Sequence, residues 1–137
     1  MSERHAVQID GRARELIEAP SFFTLATERT HGSAHLTVIW GDLEDGRIAV
    51  NGAEGRTWPE NVRRNPEVSL VVVNSENPYE YLSVRGRVVE DTHRGADEHI
   101  NRLSKKYLDK DEYPSSRPGE QRVKFLIDPE WVKVHGG

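Results

Sequence analysis

The stretch from Asn51 to Pro66 holds the residue types best suited to chemistry. A strand ends near Asn51, Gly52 and Gly55 loosen the chain, and Arg56 precedes a helix expected to open at Thr57. Free backbone N–H groups at a helix start, beside a guanidinium, form a seat for phosphate. The same residues also read as an ordinary capped helix. Thr57 and Glu60 have capping-box spacing, and Arg56, Arg63 and Arg64 would then be solvated charges. Asn77-Pro78-Tyr79-Glu80-Tyr81 is a second candidate. Tyr79 and Tyr81 share a strand face and could wall a flat ring, or pack in a core or a subunit seam. Trp40 and Trp58 are open to the same two readings.

Other chemistries are excluded or weak. The sequence has no G-x-G-x-x-G, P-loop, H-E-x-x-H or G-x-S-x-G motif. His31 and His35 on a strand would stand about 13 Å apart at about 3.3 Å per residue, too far to share one metal, so no metal site is expected. His5, His93, His99 and His135 are scattered and expected to be solvated. The absence of cysteine rules out disulfides, thiolate metal sites and thiol nucleophiles. Lys plus Arg is 19 and Asp plus Glu is 23, giving 19 − 23 = −4. That balance disfavours binding to nucleic acid or an acidic membrane. The first ten residues lack the apolar core of a secretory signal, and the longest apolar run is only Leu70–Val73, so the expected compartment is the cytoplasm.

The elements that must position these residues follow from periodicity. Residues 10–19 read as a short helix with Asp10 as cap, Ala13, Leu16 and Ile17 as its apolar face, and Pro20 as stop. Residues 22–27 and 34–40 read as strands joined in a hairpin. Leu43 to Gly46 reads as a turn carrying the Asp-Gly signal, followed by a strand over 47–51 that Gly52 to Gly55 breaks. The helix from Thr57 ends by Asn65-Pro66. Strands follow over 68–73 and 79–89, with Gly86 as the expected bulge. Ala96, Ile100, Leu103 and Tyr107 mark an amphipathic helix. A polar loop over 110–119 leads to a last strand through Val123, Phe125 and Ile127, continued by Trp131, Val132 and Val134. The order α-βββ-α-ββ-α-β favours an antiparallel barrel with peripheral helices over a doubly wound sheet. Residues 1–137 are one domain's worth of chain. A hydrophobic fraction of only 35% suits a protomer that completes its burial with a partner.

Gly55-Arg-Thr-Trp-Pro-Glu-Asn-Val-Arg-Arg-Asn-Pro-Glu-Val-Ser-Leu70 resembles the G-R-x-K-x-x-N-L-R-R-D-P-x-V-x-L segment of the flavin and deazaflavin split-barrel oxidoreductases. Asn77 to Glu90 resembles the N-P-Y-x-Y-x-x-V-R-G-R-V segment that follows it. Thr24–Thr27, Gly32–Trp40, His99-Ile100, Lys106–Leu108 and Tyr113-Pro114 match in order. The family resembled is the pyridoxamine 5′-phosphate oxidase-like group, in its coenzyme F420-dependent branch. The resemblance implies a mainly β fold, a six-stranded antiparallel split β-barrel of the FMN-binding type. It implies a homodimer with two cofactor sites at the seam, coenzyme F420 as cofactor with FMN as the alternative, and hydride transfer to a small planar or unsaturated substrate. Arg56, Thr57 and Asn61 would seat the phosphate. Thr37, Val38, Ile39, Trp40 and Asn51 would flank the ring, and Pro78, Tyr79 and Tyr81 would come from the other subunit. Trp40, Trp58 and Tyr79 would line the substrate side. The family usually has Lys where this chain has Trp58, which removes a charge-assisted phosphate contact worth about 1.5–3 kcal/mol. Lysine restored at 58 is therefore expected to tighten binding. A non-catalytic dimer that binds flavin, deazaflavin or haem through a degraded phosphate site is the alternative reading.

Overall fold

The computed structural model describes residues 7–136; His5 lies outside them. Three helices and seven strands follow the order α1 (Gly11–Glu18), β1 (Phe23–Glu28), β2 (Ala34–Ile39), β3 (Gly41–Glu44), β4 (Arg47–Ala53), α2 (Thr57–Arg64), β5 (Glu67–Val73), β6 (Tyr81–Thr92), α3 (Ala96–Leu108) and β7 (Arg122–His135). All strand pairs are antiparallel, in the sheet order β2-β1-β5-β6-β7-β4-β3. The two edge strands, β2 and β3, are separated in sequence by Trp40 alone. The sheet therefore curls until its edges approach, which is the split-barrel form.

The strand number corrects the expected six. The additional strand is Gly41–Glu44, part of which reads as a turn in the sequence. Asp45 and Gly46, at φ 52° and 79°, form the two-residue turn, and β3 and β4 pair directly on either side of it. Positive φ at both central residues is what a tight hairpin of this twist requires. β2 and β3 resemble one strand broken at Trp40, where a side chain on Gly41 would run into the Phe23 ring.

The barrel interior is filled by Phe23 and Leu25 of β1, Ile48 and Val50 of β4, Val72, Leu82, Phe125 and Ile127, all nearly inaccessible to solvent. Ala13, Leu16 and Ile17 of α1 join this cluster, as their spacing predicts. The β6–β7 register shifts at Arg85/Gly86, where Gly86 opposes Pro129. A Cβ on Gly86 would lie 2.6 Å from the Asp128 carbonyl oxygen, so the expected bulge has a steric cause.

Two local expectations change. Arg56, not Thr57, is the N-cap residue of α2, and no side chain caps it, so the capping box does not form. β4 runs through Gly52 to Ala53 instead of breaking at Gly52. Gly52 is needed there because a Cβ would sit 2.6 Å from Cζ2 of Trp58.

Candidate functional site

A groove lies between β2 and the corner where β4 passes into α2. It comprises two adjoining hollows of about 160 and 340 Å³. Val38, Ile39, Asn51 and Arg56 line both; Trp40 lines the first, and Thr37, Thr57 and Trp58 the second. Alternation along β2 puts His35, Thr37 and Ile39 on one face, opposite Thr27, Leu25 and Phe23 of β1. Arg56 is 55% exposed at its side chain and stands at the mouth of α2, after Gly55 at φ 89°. Free N–H groups of the first helical turn and an exposed guanidinium thus share one rim.

The other sequence candidates, Trp58 excepted, lie apart from the groove. Asn61 is buried on the inner face of α2, where its Nδ2 donates to Thr27 Oγ1 at 3.1 Å and fastens the helix to β1. Pro78 and Tyr79 sit in the turn before β6, and Tyr79 is 83% exposed. Tyr81 stacks on His135 at 4.3 Å between ring centres, on the outer sheet face. Trp58 borders the groove but is 4% exposed, with its ring 5.0 Å from that of Phe125.

Behind the groove runs a buried polar chain. Asn51 Nδ2 donates to the Ala96 carbonyl at 2.9 Å and contacts His99 Nδ1 at 3.1 Å. An amide nitrogen can only donate, so His99 Nδ1 accepts and Nε2–H donates to Asp42 Oδ1 at 2.9 Å. Asn51 Oδ1 is left to accept from Arg122 Nε at 2.9 Å. Arg122 Nη1 donates to Glu120 Oε1 at 3.0 Å. At the far end Arg102 Nε donates to Asp42 Oδ2 at 2.7 Å. Burial would raise the Asp42 carboxyl, but the bonds from His99 and Arg102 outweigh it and hold it below the ordinary carboxylate range. Asn51 is therefore fixed in one orientation, and it fixes Arg122 in turn.

Aromatic packing orients Trp40. Its ring stacks on Tyr107 at 5.1 Å and meets Tyr113 edge-on at 5.8 Å. Tyr107 is anchored through its hydroxyl, which donates to the Ser21 carbonyl, and burial pushes that hydroxyl up to about 12. Lys106 donates to the carbonyls of Ile17 and Gly41, each at 2.6 Å, and burial pulls its ammonium down to about 8.

His99 corrects the expectation that it is solvated: it is 1% exposed. Its position on the Ala96–Ile100–Leu103 stripe is the signal that places it inside. Arg122, Tyr113, Ile100 and His35 also line the groove without standing out in the sequence as site residues. Arg122 is the first residue of the last strand, and its register against Ala53 brings it to the α2 corner. His35 Nδ1 lies 3.3 Å from Arg29 Nη2. No helix among the described residues is long and apolar enough to cross a membrane.

The profile of the pyridoxamine 5′-phosphate oxidase family matches residues 9–136. No curated protein matches the chain. Among solved structures, an F420 reductase is 25% identical with a TM-score of 0.77, over 88% of this chain and 94% of its own. A conserved hypothetical protein, Rv2991, from Mycobacterium tuberculosis is 19% identical with a TM-score of 0.71, over 98% and 89%. The haem storage protein HutZ from Vibrio cholerae is 15% identical with a TM-score of 0.66, over 95% and 96%. The last two are likenesses of fold.

Proposed function

We propose, for a chain that belongs to the pyridoxamine 5′-phosphate oxidase family, that the β2/α2 groove holds a phosphate-tailed ring cofactor, coenzyme F420 in the first place and FMN as the alternative. The observation that carries this reading is the convergence of Arg56 and the open start of α2 with Thr37 to Trp40 and Asn51 around one groove. The 25% identity to an F420 reductase favours the deazaflavin. The residues fit such a group: an exposed cation for the tail, an edge strand for the ring and an amide fixed by three partners. When bound, the cofactor supplies the hydride chemistry, passing it to a small planar or unsaturated substrate. Arg56 binds the tail, and backbone groups of Thr37 to Ile39 orient the ring. Trp40, held by Tyr107, closes one wall and keeps water from it.

Trp58 gives a specific observation for a second reading. It stands where the family usually carries a lysine, and its ring is committed to the core. A non-catalytic cofactor carrier is consistent with that weakened seat. Fluorescence titration with coenzyme F420 and with FMN, followed by assay against ring and enone acceptors, separates the readings. Saturable binding with turnover supports the oxidoreductase, tight binding without turnover supports the carrier, and no binding contradicts both. Arg56→Ala is expected to weaken cofactor binding roughly tenfold or more, as loss of a charge-assisted contact does.

The cofactor reading includes a homodimer, and cytoplasm as its compartment. Leu36 and Val38 are each 65% exposed, on the outer face of β2. The register continues that face through Ala26, Ser69, Arg85 and Trp131. α3 packs on β4 and β7, and among the described residues Leu36 and Val38 remain exposed, with no helix over them. Tyr81 belongs to this face, so a partner seated there could bring its Pro78–Tyr81 segment toward the groove. The expected solution mass is twice that of the chain, falling to one chain in Leu36→Asp/Val38→Asp. Sedimentation equilibrium checks this, and a wild-type mass of one chain contradicts the shared site.

A further inference from the structure

Glu120 joins the two arginines of the groove. Its Oε1 accepts from Arg122 Nη1 at 3.0 Å and lies 3.5 Å from Arg56 Nη2. Its Oε2 faces the Arg117 backbone N–H at 3.4 Å. Arg122 is 7% exposed, and Asn51 fixes its Nε, so this cation cannot swing away. Nη2 of Arg122 has no protein acceptor among the described residues. Glu120 is itself largely covered, at 11% side-chain exposure. A protein carboxylate therefore stands between two guanidinium groups at the place where an anionic ligand would meet them. The three groups together carry one net positive charge.

Resting on the cofactor reading above, we propose that Glu120 is a specificity-determining residue. It sets the groove to receive a singly charged phosphodiester in preference to a doubly charged phosphate monoester. Coulomb energy scales with the ligand's charge, so a fixed carboxylate beside the seat penalises a dianion about twice as much as a monoanion in free energy. Coenzyme F420 presents its phosphate as a diester, whereas FMN presents a monoester. At the phosphate itself, the groove thereby discriminates between two ligands whose rings and ribityl chains are alike. Arg56 bonds the tail from solvent, and Arg122 offers Nη2 from below.

The test compares FMN with riboflavin 4′,5′-cyclic phosphate, which keeps the ring and carries a diester. Each is titrated into wild type and Glu120→Gln, with dissociation constants read by flavin fluorescence. Glutamine retains an acceptor for Arg122 Nη1 while removing the charge; Glu120→Ala is the second variant if glutamine reorders the loop. Loss of the carboxylate should tighten FMN about tenfold and the cyclic diester about threefold, shifting their ratio about threefold. An unchanged ratio in both folded variants overturns the proposal. Methyl phosphate and dimethyl phosphate, followed by NMR of the arginine side chains, give the same comparison without a ring. If neither flavin binds wild type but the ring-free pair shows the expected shift, the FMN alternative fails and the role of Glu120 stands; if coenzyme F420 also fails to bind, the cofactor reading fails with it. If the ring-free pair also shows no shift, the proposal fails.

Discussion

Trp58→Lys is expected to lower the free energy of unfolding by about 3–5 kcal/mol. The indole is 4% exposed, its ring lies 5.0 Å from Phe125, and Gly52 lacks a side chain where the indole passes. Lysine cannot fill that socket. It leaves a cavity beside Phe125, and its ammonium either sits in apolar surroundings or strains toward the groove. Urea unfolding reads the change as a lower midpoint at an unchanged slope. A loss under about 1 kcal/mol would show that the indole contributes little packing. The expectation that lysine tightens phosphate binding therefore has to be measured on the folded fraction. In this chain the position has been given to the core, and Gly52 and Trp58 have to be understood together.

Removing Asn51 is the second large effect. Asn51→Leu is close in volume, but it strips partners from the Ala96 carbonyl, His99 Nδ1 and Arg122 Nε at once. Each buried group left unpaired costs about 1–3 kcal/mol, so a loss of about 3 kcal/mol or more is expected even with some water entering from the groove. Arg122 should also lose its fixed orientation, so ligand binding should weaken in protein that remains folded. Thermal unfolding and a cofactor titration on the same sample measure both. Full stability with normal binding would mean that the polar chain positions nothing.

Much of this arrangement is legible in the sequence where its cause is local. The β1–β2 hairpin, β5 and the inner residues of β7 follow a period of two, because one face of each strand fills the barrel. Gly86 announces its bulge, and Asn65-Pro66 ends α2. β3 is harder to see. It has four residues, begins with glycine and carries Asp42 and Glu44, which look like turn chemistry. Their charges are satisfied from far along the chain, Asp42 by His99 and Arg102, and Glu44 by Lys124. Glu120 is still less legible. It lies at the end of a polar loop containing two prolines, and its meeting with Arg56 spans 64 positions in sequence. Local patterns carry backbone geometry, whereas the charge of the groove depends on pairs that only the closed barrel brings together. Thr37 to Trp40 are site candidates in the sequence because the resemblance carries them, whereas Asn51, Arg56 and Thr57 stand out as a strand end beside a helix start; the fold brings both groups to one groove.

The most direct test is a crystal structure of the protein soaked separately with coenzyme F420 and with FMN. The account expects density for a phosphate against the Arg56 guanidinium, with the ring lying along Thr37 to Trp40 beside Asn51. Clear density elsewhere, or an empty groove at saturating ligand, would contradict it.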